Sequence, residues 1–250
     1  MTFTKMHGLG NDFVMFAADE APALDAGVVR SLCDRRTGVG ADGVIVVTPV
    51  EDDVVRMDYW NADGSVAEMC GNGMRCTARF AGARGWVGPT LSIDTLRGRL
   101  GARMLDDGRI SVELGPVEVG EWVEVGGRTL RSASVGNPHA VTEVDDVANA
   151  PVGTDGAAIG TDGAFPEGAN VGFMAVIDGV VDLRVWERGV GETLACGSGA
   201  AAAAAVAIAG GKATSPVVLN VPGGTFEVAF EGDVAWLTGP AETVFVGALD

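Results

Sequence analysis

Two short stretches hold the most pointed chemistry in this sequence: CGNG at residues 70–73 and CGSG at residues 196–199. A strand-like run precedes each, and a helix-like stretch follows, MRCTARFAGARG in one case and AAAAAAVAIAGG in the other. Cys70 and Cys196 are therefore expected at helix N-termini, beside glycines that let another group approach the backbone. Unpaired N–H groups and the helix dipole favour an anion there. That predicts thiols more acidic than the free value of about 8.5, and a cradle for a carboxylate or enolate. Two such thiols on opposite sides of one tetrahedral carbon could invert it, one as thiolate taking a proton and the other as thiol returning one. Hydrogen bonds to the adjacent carboxylate would carry the carbanion as it turns enolate-like, and no cofactor is required in principle. The competing reading makes both cysteines small buried hydrophobes, the common fate of this residue.

The elements that must position these thiols emerge when the chain is aligned with itself. At an offset of 126, Gly10-Asn11 falls on Gly136-Asn137, Trp60 on Trp186, Cys70-Gly71 on Cys196-Gly197, Gly73 on Gly199 and Gly85 on Gly211. Gly115-Pro116 matches Gly239-Pro240 after a shift of two residues, each pair behind a strand-like run, GRISVEL or GDVAWLT. Short β-branched runs such as GVIVVTPV, VVRMDYW, FMAVIDGVV and LRVWE lead toward the cysteine turns, and glycines close both helices. The pattern predicts an α+β fold of two pseudo-symmetric domains, each a curved mixed β-sheet wrapped around a central helix, instead of regular βαβ alternation. The junction is expected near Pro116 to Gly120, giving domains of residues 1–116 and 117–240. Two copies facing each other would bring the thiols to opposite sides of one cleft.

With 250 residues, 47% hydrophobic and 20% charged, the chain has ample material for folded cores. Its 17 Lys plus Arg against 34 Asp plus Glu give a charge of −17, which repels a nucleic-acid backbone and an anionic membrane surface alike. The lysines are Lys5 and Lys212 alone, and neither has the setting of a Schiff-base lysine, which argues against pyridoxal-phosphate chemistry. The start, MTFTKMHGLGND, lacks the apolar stretch of a secretory signal, so a cytoplasmic protein is expected. The apolar stretch 194–211 is too broken by glycine for a membrane span and reads as a buried helix. Four cysteines without C-x-x-C spacing, and two histidines, fit neither a disulfide framework nor a structural zinc site. Free thiols and no metal are the expectation.

TGVGADG at residues 37–43 has the G-x-G-x-x-G spacing, but a strand-like VIVV follows where a dinucleotide fingerprint must open a helix, so a turn is predicted. Walker A, G-x-S-x-G and H-E-x-x-H motifs are missing. Cys33 lies in VVRSLCDRR, expected as an amphipathic helix, and Cys76 is expected in a core. His7 and His139 could each tune a thiol, orient a substrate or serve structure alone. The Glu187-Arg188 pair just ahead of CGSG could grip an amino-acid head group.

In order along the chain, KMHGLGNDF (5–13), NADGS (61–65), CGNGMRC (70–76), GNPHAV (136–141), ANVGFM (169–174), ERGVGETLACGSGA (187–200) and VPGG (221–224) are similar to the motifs of the diaminopimelate epimerase family. The resemblance implies a cofactor-independent enzyme that interconverts LL- and meso-2,6-diaminopimelate on the route to lysine and peptidoglycan precursors. It makes Cys70 and Cys196 the acid/base thiols, with His139 and Glu187 modulating them. It assigns the substrate to Asn11, Asn61, Asn137, Asn170, the Glu187-Arg188 pair and the turns Gly71-Asn72 and Gly197-Ser198. The turn backbones would hold the reacting carboxylate, and side chains the distal amino and carboxylate groups. It also implies a homodimer and a carboxyl-terminal tail, residues 241–250, that returns to the first domain. The chain departs from the family pattern at Gly43, where some members use a Gln to contact substrate, and at Phe245, where a Tyr supports some dimers. The stretch TDGAAIGTDGAFPEG before Asn170 is short. Rival readings are a proline or hydroxyproline racemase on the same scaffold, a non-catalytic amino-acid-binding protein, and a redox protein that joins Cys70 to Cys196. The asparagines and Glu187-Arg188 favour the longer, doubly zwitterionic substrate, and two retained thiols speak against binding alone.

Overall fold

The computed structural model describes residues 1–249, and the chain divides into two compact units: Met1–Val112 with the segment from Gly239 onward, and Glu113–Thr238. The first repeat runs through β1 (Thr2–Gly8), β2 (Asn11–Ala17), α1 (Ala26–Cys33), β3 (Gly43–Glu51), β4 (Val54–Asn61), β5 (Val66–Ala67), α2 (Gly71–Ala83), β6 (Thr90–Thr95), β7 (Gly98–Met104), β8 (Ile110–Pro116) and β9 (Glu118–Val125). The second runs through β10 (Arg128–Ser134), β11 (Pro138–Glu143), a π-helical turn Val152–Gly156 continued by α3 (Ala157–Gly160), β12 (Asn170–Ile177) and β13 (Val180–Glu187). It continues with β14 (Gly191–Thr193), α4 (Gly197–Ala209), β15 (Val217–Val221), β16 (Gly224–Glu231), β17 (Val234–Gly239) and β18 (Glu242–Ala248). The offset of 126 carries both ends of α2 onto α4 and both ends of β4 onto β13.

The two sheets share one strand order. In the first unit it is β18-β1-β2-β3-β4-β6-β7, with β2–β3 and β4–β6 parallel. In the second it is β9-β10-β11-β12-β13-β15-β16, with β11–β12 and β13–β15 parallel. The expected α+β architecture is therefore observed, with one feature that periodicity does not carry: the last strand of each repeat pairs with the first strand of the other. β9 lies on β10, and β18 lies on β1.

Each sheet wraps a helix. Strands β1–β4, β6 and β7 surround α2, and β9–β13, β15 and β16 surround α4. A helix enclosed on all sides must be apolar all round. The run Ala200–Val206 meets that demand, and its small side chains admit strands at close range. In the first unit a second apolar layer of Val29 and Leu32 on α1 covers Phe16, Val44 and Val46, and in the second Val152 and Ile159 cover Val171 and Phe173. Strands covered on both faces read as continuous apolar runs, which is why Phe13–Ala17 and Val44–Val47 are buried without alternation. Asp25 caps α1 by accepting from the Gly27 and Val28 N–H groups at 2.7 and 2.8 Å. Cys76 is buried in the core, as expected, and Cys33 ends the expected helix α1 and is buried too. Among the described residues no helix is long and apolar enough to cross a membrane.

Candidate active site

Cys70 is the N-cap residue of α2, extended at φ −143° and ψ 121°, and the chain turns helical at Gly71. Gly73 is required one residue further on, since a Cβ there would stand 2.9 Å from the Ile45 side chain. Across from the thiol, the β1–β2 hairpin turns through Leu9 and Gly10, both at positive φ, a backbone matched to the strand twist. That turn delivers Asn11, whose Oδ1 accepts from Cys70 Sγ at 3.6 Å and from Asn72 Nδ2 at 3.1 Å. Asn11 Nδ2 donates to Asp42 Oδ2 at 2.8 Å. Arg75, one turn along α2 and completely buried, donates to Asn72 Oδ1 at 2.7 Å and to the Pro240 carbonyl at 3.2 Å. Burial pulls its guanidinium down to about 10, while the thiols of Cys76 and Cys70 act in the opposite sense.

Behind Asn11 lies a cluster of charges. Arg35 forks onto Asp12 at 2.7 and 3.1 Å and reaches Asp42 at 2.8 Å, and the buried Lys5 pairs with Asp12 at 2.6 Å. Burial alone would raise the Asp12 carboxyl, but hydrogen bonds from Arg35 and Lys5 outweigh it and hold it at about 2. Asn61, at the end of β4, donates to Ser65 Oγ at 3.0 Å.

In the second unit Cys196 is the N-cap of α4, extended at φ −112° and ψ 111°, and its Sγ accepts from the Gly199 N–H at 3.4 Å and lies 3.7 Å from Ser198 Oγ. Gly199 mirrors Gly73, since a Cβ there would meet Val185 at 3.0 Å and the Cys196 sulfur at 3.2 Å. The thiol also meets Glu187, whose Oε1 accepts from Thr193 Oγ1 at 2.5 Å. The helix N-terminus was expected to make this thiol more acidic, and the structure corrects that. Burial pushes Cys196 well above a thiol's ordinary value, the Glu187 charge pushes the same way, and the Gly199 and Ser198 hydrogen bonds recover only part. A helix-end partial charge does not outweigh full desolvation beside a carboxylate.

His139 on β11 is buried, its Nε2 is 3.1 Å from Asn137 Oδ1, and burial together with the Arg188 charge lowers it to about 3. It is a neutral imidazole, able to hydrogen-bond but not to attract a thiolate by charge. Parallel pairing sets His139 beside Asn170, whose Oδ1 accepts from the Arg188 N–H at 2.9 Å and so ties the end of β13 to the start of β12. The Arg188 guanidinium donates to the Glu167 carbonyl.

A model of the diaminopimelate epimerase family matches residues 3–120 and 131–244. The chain belongs to the diaminopimelate epimerase family. Relatives named diaminopimelate epimerase include one from Alkalilimnicola ehrlichii, 44% identical with 99% of this chain and 98% of that protein covered, and one from an Azoarcus species, 42% identical over the same shares. Among solved structures, a predicted epimerase from Pseudomonas aeruginosa superposes with a TM-score of 0.75 at 16% identity, covering 99% of this chain and 98% of that one. A probable proline racemase from Agrobacterium radiobacter gives 0.72 at 17%, covering 100% and 92%. These distant structures share the fold.

Within this family member the candidate residues fall into two sets, one per unit. Asn11, Gly71 and Asn72 gather around Cys70, and Glu187, Gly197 and Ser198 around Cys196. Asn137 and Asn170 flank His139, while Asn61 and Arg188 hold turns at the ends of β4 and β13. Matched positions carry different chemistry. Arg75 corresponds to Ala201, and Glu187 to Asn61, so the first thiol sits near a buried cation and the second near a carboxylate. Spacing along the sequence does not single out Asp42, inside the TGVGADG turn, or the Lys5, Asp12 and Arg35 cluster that it joins. Thr193 carried no signal at all. Arg75 did carry one, as a charge in the middle of a helix expected to be enclosed. Gly43 is sterically committed, since a Cβ there would stand 2.5 Å from the Trp60 carbonyl oxygen and 2.6 Å from the Tyr59 ring.

Proposed function

We propose that this chain interconverts LL- and meso-diaminopimelate by moving a proton at one α-carbon, with Cys196 and Cys70 as the two proton-transfer groups. The observation that carries this reading is the pair of cysteines capping helices of identical extent, one hydrogen-bonded to an amide and the other beside a carboxylate. The family membership and the relatives' names support the substrate.

Inversion requires one thiol at each face of the carbon. Glu187 accepts the Cys196 proton, and the resulting thiolate removes the α-proton. The Cys70 S–H then delivers its own proton to the opposite face and is left as the thiolate. Return of the Glu187 proton to Cys70 through solvent resets the enzyme, and the reverse reaction runs the same steps backward. Charge that builds on the substrate carboxylate is met by first-turn N–H groups at Gly71-Asn72 and Gly197-Ser198. Asn11, Asn61, Asn137, Asn170, Glu187 and Arg188 are the side chains assigned to the remaining polar groups of the substrate, with neutral His139 orienting Asn137. Free cysteines throughout support a reducing, cytoplasmic setting. The exposed Val244, Phe245 and Val246 on β18 support a homodimer.

The test is proton NMR of LL-diaminopimelate in deuterium oxide with wild type, Cys70→Ala and Cys196→Ala. Deuterium entering the α position with formation of the meso isomer in wild type, and loss of epimerisation in both variants, is the expected result. Epimerisation surviving either substitution sinks the two-thiol mechanism, and no exchange by freshly reduced wild type sinks the substrate.

A further inference from the structure

Four side chains in the first unit form a chain of hydrogen bonds with one direction. Arg75 can only donate, so the atom of Asn72 that it contacts at 2.7 Å must be the amide oxygen. Asn72 therefore presents its NH2 to Asn11, at 3.1 Å, and Asn11 must receive it on oxygen. Asp42 accepts from the other end of the same amide at 2.8 Å, which demands the Asn11 NH2 there. Both ends agree: the cation at Arg75 and the carboxylate at Asp42 leave the two amides no alternative arrangement. The Cys70 sulfur is 3.6 Å from the oxygen so fixed. A thiol can donate to that oxygen, whereas a thiolate would face it lone pair to lone pair.

We propose that Asp42 and Arg75 are positioning residues of the reaction: through Asn11 and Asn72 they turn an amide oxygen onto Cys70 and hold it as the proton-bearing thiol before substrate binds. The inference rests on the reading that Cys70 transfers a proton, and it supplies the asymmetry that reading needs. The matching relay is missing from the second repeat, where Ser198 stands at the position of Asn72 and Ala201 at that of Arg75. There the thiol meets Glu187, an acceptor able to take its proton away. Arg75 and Cys76 on its own helix also interact with Cys70, and the direct charge of Arg75 favours the thiolate, so the relay acts against it. Burial pushes the Cys76 thiol up to about 12, so it stays neutral. Lys5, Asp12 and Arg35 join the network on the far side of Asn11. Substrate that takes over the Asn11 amide would release the Cys70 proton for delivery.

The experiment is the pH profile of iodoacetamide alkylation at Cys70 in the substrate-free protein, followed by peptide mass spectrometry with Cys196 as internal reference. The half-plateau pH reports the thiolate irrespective of access. Asp42→Ala and Asn72→Ser each remove one end of the relay while the other still holds Asn11, and serine is what the fold already carries at the matching position 198. Each single change is expected to leave the profile within a few tenths of a pH unit. The double variant frees Asn11 to turn its NH2 onto the sulfur, and its half-plateau pH is expected to fall by about one unit, a tenfold gain in thiolate at lower pH. An unshifted double variant, or shifts that merely add, overturns the proposal. So does wild-type Cys70 titrating well below the ordinary thiol value of about 8.5, a result that needs no variant. Alkylation uses no substrate, so this outcome is separate from failure of the epimerase assay.

Discussion

Asp12→Asn isolates what the charge cluster behind Asn11 contributes. Asp12 receives a fork from Arg35 and the ammonium of the buried Lys5, and its side chain is only 15% exposed. Folding thereby lowers its carboxyl from 3.8 to about 2. At about 1.4 kcal/mol per pH unit that difference is worth roughly 2 kcal/mol of stability. Since the folded-state value is the lower one, the contribution is fully present above about pH 4 and is lost as the pH falls through about 2. The variant keeps the shape of the side chain and removes the charge, leaving Lys5 buried without its carboxylate. Urea unfolding of wild type and Asp12→Asn at pH 7, 5, 4 and 3 is the assay. A deficit of about 2 kcal/mol or more at pH 7 and pH 5 is expected, shrinking at pH 4 and further at pH 3. A deficit of equal size at pH 7 and pH 3 would refute the reasoning, because it would show that the lost stability does not follow the ionisation of the carboxyl.

Glu187→Gln removes the charge that opposes thiolate at Cys196, so alkylation of Cys196 shifts to lower pH while turnover falls for want of a proton acceptor; undiminished turnover, or alkylation shifted to higher pH, would contradict the assigned role. His139, lowered to about 3, keeps constant imidazole C–H chemical shifts from pH 8 to pH 5, and a titration near 6.5 in that range would show that it is not buried as described. Gly43→Ala must displace the Trp60 carbonyl or the Tyr59 ring and is expected to cost roughly 1–3 kcal/mol in urea unfolding. Val246→Glu places a charge on the exposed apolar face of β18, and if the proposed homodimer forms there, sedimentation is expected to find a dimer for wild type and a monomer for the variant; a dimer in both would overturn that face as the interface.

The sequence by itself determined the duplication, because a repeated fold repeats its tightest constraints. Glycines at 73 and 199, where a Cβ would strike a neighbouring strand, and cysteines at 70 and 196, capping equal helices, recur at one offset and can be seen without coordinates. The apolar alanine run likewise announced an enclosed helix. The tertiary structure alone decided that β18 completes the first sheet by pairing with β1 from the far end of the chain, where no local pattern names a partner, whereas β9 meets β10 through a local hairpin at Gly126-Gly127. It also decided the electrical character of the two thiols. A helix N-terminus is local and could be anticipated, but desolvation and a carboxylate brought up by the β13–β14 turn override it at Cys196. The relay from Arg75 to Asp42 joins residues 11, 42, 72 and 75, from a hairpin, a glycine turn and a helix. Hydrogen-bond direction is a property of donors and acceptors in contact, and sequence spacing does not say which residues will touch.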